Sequence, residues 1–365
     1  MKIAIFHDYF SFIGGGEKVV LTLARHLKAD IITTHVDRSL ISKMGFEDVS
    51  IISLGKPVSI PPLKQIHATF KFAFCNFSGK YDFYIFSGNW AHHASRHHRP
   101  NLMYCYTPVR VFYDMNGEFL ASRSNPVTRI AAKMWINVHR FFYEKSISRV
   151  ETIVSISDNV SARVTKYLGR DSTVIYPPCD TSRFGCSGDE GFWLSVNRIY
   201  PEKRIELQVE AFRKMPEERL VIIGNSGKGD HSAIYAKQIR GNLPDNVSLV
   251  SDITEDELAG YYSRCRGLIT TAANEDFGMT AVEAMASGKP VIAVREGGYI
   301  ESVIDGKTGV LIDSNAYALI RAIKSMPSDL SVFHDACVEQ SRKFDVSNFL
   351  SRMDSIIMGD KVGNA

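Results

Sequence analysis

The sequence predicts an α/β protein made of two doubly wound Rossmann-like domains that face each other across a cleft. The chain has 365 residues, which exceeds one ordinary domain and makes two the natural expectation. Short apolar runs rich in β-branched residues alternate with helical stretches in both halves, a pattern typical of parallel sheets covered on both faces. Because doubly wound domains bind ligands at the carboxyl ends of their strands, we expect the ligand in the cleft and functional residues in the loops after strands.

The predicted strands form two series along the chain. The first half carries KIAIF (2–6), DIITTH (30–35), DFYIFSG (82–88), LMYCY (102–106) and TIVSIS (152–157). The second half carries FWLSV (192–196), RLVIIG (219–224), VSLV (247–250), GLITT (267–271) and PVIAV (290–294). A stretch rich in Pro, Gly and Ser at 176–191 separates them. We therefore expect a first domain over 1–178, a linker over 179–190, a second domain over 191–344 and a final amphipathic helix over 345–365.

The composition is that of a soluble globular protein, with 45% hydrophobic and 23% charged residues. No signal-peptide pattern and no run of 18 apolar residues occurs, and the six cysteines form no C-x-x-C pair, so we expect a cytoplasmic protein with reduced thiols. The net charge is +8 over residues 1–180 and −5 over the rest. A basic half favours an anionic partner such as a phosphate, a lipid head group or nucleic acid, although ordinary surface charge is the alternative.

A glycine-rich stretch, IGGGEK (13–18), follows the first predicted strand and opens the first helix. Glycines at Gly14, Gly15 and Gly16 let the backbone approach a ligand closely, and a helix N-terminus favours anions. The spacing is neither the dinucleotide fingerprint nor a Walker A loop. The stretch therefore indicates a phosphate cradle, with a simple glycine turn as the alternative.

Two cations follow the first strand of the second domain, in SVNRIYPEKRIELQVEAF (195–212). Arg198 and Lys203 would lie at the carboxyl end of that strand. A guanidinium fork and an ammonium point charge together suit a diphosphate. Solvated surface charge is the alternative.

Two carboxylates flank a Phe-Gly pair in NEDFGMTAVEAMASGKP (274–290). Glu283 is three residues after Thr280, so the two fit a capping box, with a helix that stops near Gly288. Glu275 precedes the glycine turn and has no such structural explanation. Carboxylates beside a helix N-terminus at Gly278 are good acceptors for the hydroxyls of a sugar.

Together these motifs resemble the retaining glycosyltransferases of family 4, which have the GT-B fold. The resemblance extends over nearly the whole chain and is strongest to polysaccharide mannosyltransferases. Besides the glycine loop, it rests on VIYPPCDTSRF (174–184), RIYPEKR (198–204), EDFGMTAVEAMASGKPVIA (275–293) and GGYIESVIDGKTGVLI (297–312). It implies an acceptor-binding first domain, a nucleotide-sugar-binding second domain, and a last helix that crosses back to the first domain.

The resemblance also implies roles for the residues of the second domain. Glu283 would bind the ribose hydroxyls of the nucleotide, and Glu275 would contact the donor sugar near its 3-hydroxyl. Sugar and phosphate would be held by the stretch at the helix start, which comprises Phe277, Gly278, Met279 and Thr280.

Further roles follow for the cations and the glycine loop. Arg198 and Lys203 would neutralise the departing diphosphate, so that the enzyme needs no metal and no cofactor beyond its nucleotide-sugar substrate. The loop Gly14–Gly16 would close over donor and acceptor. Transfer would proceed with retention at the anomeric carbon, and fixed cations would stabilise the charge that develops on the leaving group.

One position departs from the family pattern. Similar enzymes often carry a histidine close to the transferred sugar, whereas CYTPVR (105–110) has Tyr106 there. Tyr106 is the candidate for this sugar contact through its phenol. His92 and His93 are the alternative candidates for this contact, although a packed or exposed imidazole is the more ordinary expectation for each. Arg110 is a candidate contact to an anionic acceptor.

The implied function is the transfer of a hexose from a nucleotide sugar to a lipid-linked or polysaccharide acceptor, as in lipopolysaccharide biosynthesis. GDP-mannose is the expected donor and a UDP-hexose is the alternative. Within the fold, an epimerase or a phosphorylase is a rival, and a non-catalytic nucleotide-sugar-binding subunit is a rival from another class. A nucleic-acid partner would explain the basic half but not the paired glutamates.

Two basic segments bear on membrane contact. VTRIAAKMWINVHRFFYEK (127–145) has a helical period that places six apolar residues on one face, and LKQIHATFKFAF (63–74) is basic and aromatic. We expect the apolar face of 127–145 to lie against the core. The alternative is peripheral docking on an anionic membrane at the cytoplasmic face.

Overall fold

The protein, described here by a computed structural model, folds into two compact units. The structure describes residues 1–359 except 12–13, 57, 59, 61, 124 and 226–230. The first unit comprises Met1–Tyr176 together with Leu350–Ala365, and the second comprises Pro177–Phe349. Each unit contains one parallel sheet with helices between its strands.

The first unit has a seven-stranded sheet in the order β3-β2-β1-β4-β5-β6-β7. Its strands are β1 (Ile3–His7), β2 (Asp30–Thr33), β3 (Ile51–Ser53), β4 (Phe83–Ser87), β5 (Asn101–Cys105), β6 (Thr152–Ser155) and β7 (Thr173–Val174). Its helices are α1 (Gly15–Leu27), α2 (Arg38–Lys43), α3 (Leu63–Phe74), α4 (Asn116–Ala121), α5 (Pro126–Ile147) and α6 (Asp158–Leu168), with 3-10 turns at Ala91–Arg96 and Arg110–Phe112.

The second unit has a six-stranded sheet in the order β10-β9-β8-β11-β12-β13. Its strands are β8 (Phe192–Val196), β9 (Arg219–Ile223), β10 (Val247–Val250), β11 (Gly267–Thr270), β12 (Val291–Val294) and β13 (Gly309–Ile312). Its helices are α7 (Ile205–Arg213), α8 (His231–Arg240), α9 (Glu255–Arg264), α10 (Met279–Ala286), α11 (Tyr299–Ser302), α12 (Ala316–Ser325) and α13 (His334–Arg342), with 3-10 turns at Thr181–Arg183, Pro201–Lys203 and Leu330–Phe333. The last helix, α14 (Val346–Met358), begins in this unit and continues in the first.

Both sheets reverse their strand order next to their first strand. In the first unit the switch lies between β1 and β4, and in the second between β8 and β11. Every strand pair in the two sheets is parallel, and the central strands β1, β5, β11 and β12 are buried along their whole length. This is the doubly wound Rossmann-like arrangement, in which the switch point is the usual place for a ligand. The predicted α/β fold class is therefore confirmed.

The expected direction of the apolar face of α5 is wrong. Its six apolar residues are all exposed, namely Val127, Ile130, Met134, Val138, Phe141 and Phe142. The opposite side is buried through Ile136, His139, Tyr143 and Ile147. The helical period is real, but this helix has apolar residues on both sides, and the inner side mixes them with polar rings.

The final helix contacts the first unit through an ion pair. The Nε2 atom of His26 on α1 lies 2.8 Å from Oδ2 of Asp354 on α14. Residues 177–190, which include the predicted linker, belong to the second unit by their contacts. In the part of the chain that the structure describes, no helix combines the length and the apolar character needed to cross a membrane.

Candidate active site

The candidate site of the second unit lies where β8 and β11 end, at the switch point of the sheet. Lys203 ends the short 3-10 turn after β8, and Glu275 lies in the loop after β11. The Lys203 ammonium donates to Oε2 of Glu275 at 2.5 Å, and both side chains are about one-fifth exposed. The structure thus brings together two predicted site residues that are 72 positions apart.

Three further hydrogen bonds hold these two loops together. The Thr271 hydroxyl donates to the carbonyl oxygen of Lys203 at 2.8 Å and receives a bond from the buried amide of Gln208 at 2.9 Å. The backbone N–H of Ala273 donates to the carbonyl oxygen of Glu202 at 2.7 Å. These bonds hold the two loops against each other, so the side chains of the ion pair start from fixed backbone positions.

The second predicted cation also follows β8. Arg198 is exposed in the loop directly after β8, and its guanidinium carbon lies 5.5 Å from the centre of the Tyr200 ring. Planar guanidinium groups stack readily on aromatic rings and remain charged. Arg198 therefore presents a charge at the same end of the sheet as Lys203.

A second ion pair beside Lys203 was not predicted from the sequence. The Nη1 atom of Arg204 lies 2.8 Å from Oε1 of Glu296, and Oε2 of Glu296 accepts the backbone N–H of Asn274 at 3.1 Å. The Arg204 guanidinium and the Asn274 amide help keep the pKa of Glu296 below its usual range, although partial burial opposes them. Arg204 is adjacent to Lys203 in the motif, which is the only signal that the sequence offered.

Glycines let the chain approach itself closely at the start of α10. Gly278 has φ 89°, and a Cβ atom there would lie 2.4 Å from the ring of Tyr299. A Cβ at Gly298 would lie 2.4 Å from the Cα of Phe277. The backbone N–H of Gly298 donates to the carbonyl oxygen of Glu275 at 2.8 Å, so the double glycine of 297–298 supports the loop that carries this carboxylate.

The helix that carries Glu283 does not have the expected cap. α10 begins at Met279 with Gly278 as its N-cap and no side-chain cap, so Thr280 is already inside the helix and the capping box is wrong. The glycine takes this position because the chain needs a left-handed residue there. The Glu283 carboxylate instead accepts the phenol O–H of Tyr262 at 2.7 Å.

Tyr262 was missed because nothing in its sequence context signals a role. Its ring is fully buried. Burial, and then the neighbouring Glu283 carboxylate, raise the pKa of its phenol well above the usual value. A neutral phenol donating to a carboxylate fixes that group in one rotamer, so that Tyr262 orients Glu283.

In the first unit, the predicted glycine loop and Tyr106 are in contact. The Tyr106 phenol donates to the carbonyl oxygen of Gly16 at 2.9 Å and accepts from the Ser87 hydroxyl at 3.2 Å. A Cβ on Gly16 would lie 3.3 Å from the phenol carbon of Tyr106. Gly14 is the N-cap of α1 and Gly15 its first residue, so the loop leads directly into the helix. The single phenol proton of Tyr106 is thus directed at the glycine loop.

Buried charged and polar side chains lie beside this loop, and sequence reasoning missed them. The Nε2 atom of His7 lies 3.9 Å from Oε1 of Glu17, and both side chains are buried. His7 is the last residue of β1 and Glu17 belongs to the IGGGEK motif, so their positions after a strand were the available signal.

Asp8 is a second buried group at the end of β1. Its carboxylate accepts the backbone N–H groups of Asn89, Trp90 and Ala91 at 2.7–2.9 Å. A Cβ on Gly88 would lie 2.6 Å from this carboxylate. Asp8 therefore ties the end of β1 to the segment after β4.

The remaining candidates lie elsewhere in the first unit. His92 is fully buried and its Nδ1 lies 2.6 Å from the Ser146 hydroxyl, and His93 is also buried. Both are packed imidazoles, which agrees with the more ordinary of the two expectations for these residues. Arg110 makes a two-nitrogen contact to Oδ2 of Asp114 at 2.8–3.0 Å.

Among the residues that the structure describes, no group of three His, Cys, Asp or Glu side chains could hold a metal ion.

A comparison with known families found a match within the second unit. Residues 182–344 match the family described as Glycosyl transferases group 1. The match covers the loop with Arg198 and Lys203 and the stretch with Glu275 and Glu283. This part of the chain is therefore similar to the group 1 glycosyltransferases.

Named relatives match over part of their length. The chain is 31% identical over 180 residues to an uncharacterized glycosyltransferase of Methanocaldococcus jannaschii (48% of this chain, 49% of the relative). It is 25% identical to the alpha-1,3/1,6-mannosyltransferase ALG2 of Dictyostelium discoideum and 25% identical to the O-antigen chain mannosyltransferase RfbU of Salmonella typhimurium, over 62% of each chain. Relatives named D-inositol 3-phosphate glycosyltransferase match as well. The chain spans about half the length of the first curated relatives that it matches.

Solved structures resemble the chain over nearly all of its length. A sucrose-phosphate synthase from Thermosynechococcus elongatus superposes with a TM-score of 0.79 at 20% identity, covering 98% of each chain. Anabaena HepE in complex with UDP and glucose superposes with a TM-score of 0.77 at 17% identity, covering 98% of this chain and 99% of HepE. These likenesses establish the fold, which is GT-B.

Proposed function

We propose that the protein is a retaining glycosyltransferase that transfers a hexose, in the first instance mannose from GDP-mannose, to a lipid-linked or polysaccharide acceptor. The observation that carries the proposal is the Lys203–Glu275 pair at the switch point of the second sheet. A cation for the diphosphate and a carboxylate for the sugar are fixed side by side there. The part of the chain that is similar to the group 1 glycosyltransferases, residues 182–344, contains both.

The second unit would bind the nucleotide sugar along this end of its sheet. An ammonium has three N–H donors, so Lys203 can keep its contact with Glu275 while it donates to a phosphate oxygen. Arg198 supplies the second positive charge. Glu283, held by Tyr262, would accept the ribose hydroxyls, and the backbone at Gly278 would face the sugar and phosphate.

In the proposed reaction, the bond between the anomeric carbon and the diphosphate oxygen breaks, and its electron pair stays on the diphosphate. The acceptor hydroxyl oxygen forms the new bond on the same face of the sugar. Its proton passes to the departing phosphate oxygen. Lys203 and Arg198 stabilise the negative charge that develops on the leaving group, so that the step needs no metal.

In the first unit, the same proposal assigns Tyr106 and the loop Gly14–Gly16 to the closing of the glycine loop over the reacting groups. The contact between the Tyr106 phenol and Gly16 supports a positioning role. The acceptor assignment is supported by the name of the relative RfbU, an O-antigen chain mannosyltransferase. A peripheral place at the cytoplasmic face of a membrane would suit a lipid-linked acceptor.

A UDP-hexose is the second candidate donor. The resemblance to HepE, whose structure holds UDP and glucose, favours it. The mannosyltransferase names of ALG2 and RfbU favour GDP-mannose, and we place it first for that reason.

A thermal-shift titration of the full chain with GDP-mannose, UDP-glucose, UDP-N-acetylglucosamine, GDP and UDP tests the donor. A ligand that binds the folded state raises the melting temperature with its concentration. We expect the guanine compounds to raise it and the uridine compounds to leave it unchanged. The reverse result would assign the UDP-hexose, and a donor that binds without any turnover on lipid-linked acceptors would identify a non-catalytic subunit.

A further inference from the structure

The outer face of α5 is an exposed apolar surface on the first unit. It is formed by Val127, Ile130, Met134, Val138, Phe141 and Phe142, each more than half exposed. These residues recur every three or four positions and so share one side of the helix. Single exposed apolar residues are ordinary, but a contiguous apolar face on a soluble protein indicates an interaction site.

Helix α3 of the same unit carries a second set of exposed apolar residues. The Thr69 hydroxyl on α3 lies 3.4 Å from Nε2 of His139 on the buried side of α5, so the two helices are in contact on that inner side. Phe70 and Phe74 on α3 are exposed, and their rings stack with centres 5.9 Å apart. Leu63, about two helical turns before Phe70, is exposed as well. We call the exposed apolar residues of α3 and α5 the outer apolar surface.

The segments that carry the outer apolar surface contain only positive charge. Residues 49–81 have four Lys and no Asp or Glu, and residues 119–143 have one Lys, three Arg and no Asp or Glu. Lys133 and Arg140 on α5 lie to one side of the apolar face, between it and the buried side. The nearest carboxylates along the chain are Glu118 and Glu144 on either side of 119–143, and Glu144 is paired with Arg140 at 2.7 Å.

We propose that the outer apolar surface docks on an anionic lipid bilayer. Apolar side chains on one helix face with cations beside them are the pattern of helices that lie in the membrane interface. Anionic head groups complement the net positive charge of the two segments. The long stems of Lys and Arg allow the charged ends to stay at the head groups while the apolar side chains enter the acyl boundary.

A second copy of the chain fits this surface less well. In a two-fold symmetric dimer the same surface of both copies meets itself. That contact would bring positive segments against positive segments, with no carboxylate in either segment to compensate. The charge pattern therefore favours lipid over self-association.

Binding to lipid does not depend on any catalytic assignment. Its use for reaching a lipid-linked acceptor rests on the proposed function. The two claims can fail separately, because lipid binding is measured with vesicles and donor binding by thermal shift.

The test is co-sedimentation of the full chain with vesicles of phosphatidylcholine alone and of phosphatidylcholine with phosphatidylglycerol in equal parts. The test variant is Ile130→Ser with Lys133→Glu. The matched control is Ile234→Ser with Lys237→Glu on α8, where the two residues have the same spacing. Ile130 is 62% exposed and Ile234 65% exposed, and both lysines are exposed, so neither double variant disturbs a core.

We expect the wild-type chain to bind the phosphatidylglycerol vesicles and to be released by salt. The α5 variant should bind roughly tenfold more weakly or worse. The α8 variant should bind like the wild type, and all three proteins should show the same nucleotide-sugar shift. Three results would overturn the proposal: equal binding to neutral vesicles, equal losses in both variants, or a concentration-dependent dimer that the α5 variant abolishes without any vesicle binding by the wild type.

Discussion

The Lys203 ammonium has two possible partners in one small space, the Glu275 carboxylate and the proposed diphosphate. Its contact with Glu275 orients the ammonium before any substrate binds, which lowers the reorganisation that the reaction would require. The same contact holds the carboxylate beside the ammonium, where it can accept a hydrogen bond from a hydroxyl. The function of this pair can therefore be tested one side chain at a time.

Replacing Lys203 by Ala should lower turnover by about 100-fold or more, because a preorganised cation at the leaving group is lost. The measurement is the steady-state rate of nucleoside diphosphate release with acceptor present. Lys214→Ala is the matched control, since Lys214 also pairs with a glutamate in this unit but is more exposed. Near-normal turnover of Lys203→Ala would remove Lys203 from the diphosphate role.

Replacing Glu275 by Gln keeps the size of the side chain and removes its charge. Transfer should fall by orders of magnitude, whereas binding of the free nucleoside diphosphate should change little, because the carboxylate is assigned to the sugar. Calorimetric titration of GDP and a turnover assay on the same protein give the two values. Equal losses in both would mean that Glu275 supports the loop and does not hold the sugar.

For single residues, the sequence predicted the site residues that lie in recognisable motifs and missed the residues that hold the site in place. Lys203 and Glu275 were predicted because they follow strands, and parallel strands end at one edge. Tyr262 and Glu296 reach the site from α9 and from the loop after β12, and the identity of such supporting residues depends on packing that no local pattern encodes. The capping box failed because Gly278 adopts a left-handed conformation that moved the helix start.

The Tyr106 phenol, directly after β5, bonds to α1 at Gly16. Tyr106→Phe removes the bond to Gly16 and should lower stability by about 1 kcal/mol, and by loosening the glycine loop it should lower transfer roughly tenfold. Tyr104→Phe is the matched control, because the Tyr104 phenol also donates to a backbone carbonyl, that of Ile175 at 3.1 Å. Urea unfolding and turnover are measured on both variants. If Tyr104→Phe lowers turnover as much, the effect of Tyr106 is on stability alone.

The start of α10 depends on Gly278, which has a left-handed backbone conformation and lies too close to the Tyr299 ring for a Cβ atom. Gly278→Ala would place a left-handed alanine against the Tyr299 ring. Gly306→Ala has the same backbone requirement, with φ 75°, but meets no atom within 4 Å. We expect the second variant to cost about 1–2 kcal/mol and the first to cost about 1–3 kcal/mol more. Equal unfolding free energies would show that the ring moves aside and that the close approach is not required.

Whole elements were predicted better than their orientation. All ten predicted strands are present, since each is a short apolar run between helical stretches. Three strands were missed, β3, β7 and β13. Strands β3 and β7 have three and two residues, too few for a pattern. Strand β13 lies within 297–312, a stretch that the sequence analysis interpreted only as a family motif. The outward direction of α5 was missed because periodicity locates a face without saying what covers it.

The pH dependence of stability is a property of the whole first unit. Burial lowers the pKa of His92 to about 3 and lowers the pKa of His93, His98 and His139. An unfolded histidine takes up a proton below about pH 6.5, whereas the folded forms of these four take one up only at a lower pH. Stability should therefore be complete above that pH and fall as the pH drops, by about 1.4 kcal/mol per unit for each fully neutral ring.

Urea unfolding between about pH 6.5 and 5 measures this slope, in a window where carboxylates contribute little. His92→Gln should flatten the slope even though it loses the contact with Ser146. His97→Gln replaces an exposed histidine of the same segment and should leave the slope unchanged. An identical slope in both variants would mean that His92 is protonated in the folded protein.

The division into units has a consequence for biosynthesis. The first unit begins at Met1 but includes the chain from Leu350 onward, about 170 residues after Tyr176. A ribosome adds about 5–20 residues per second, so the first unit waits roughly 10–35 s for its last helix. The second unit, which is continuous from Pro177 to Phe349, leaves the ribosome complete before the part of that helix from Leu350 onward emerges. The unit that starts first is therefore the one that finishes last, and until then the side of α1 that carries His26 lacks its partner on α14.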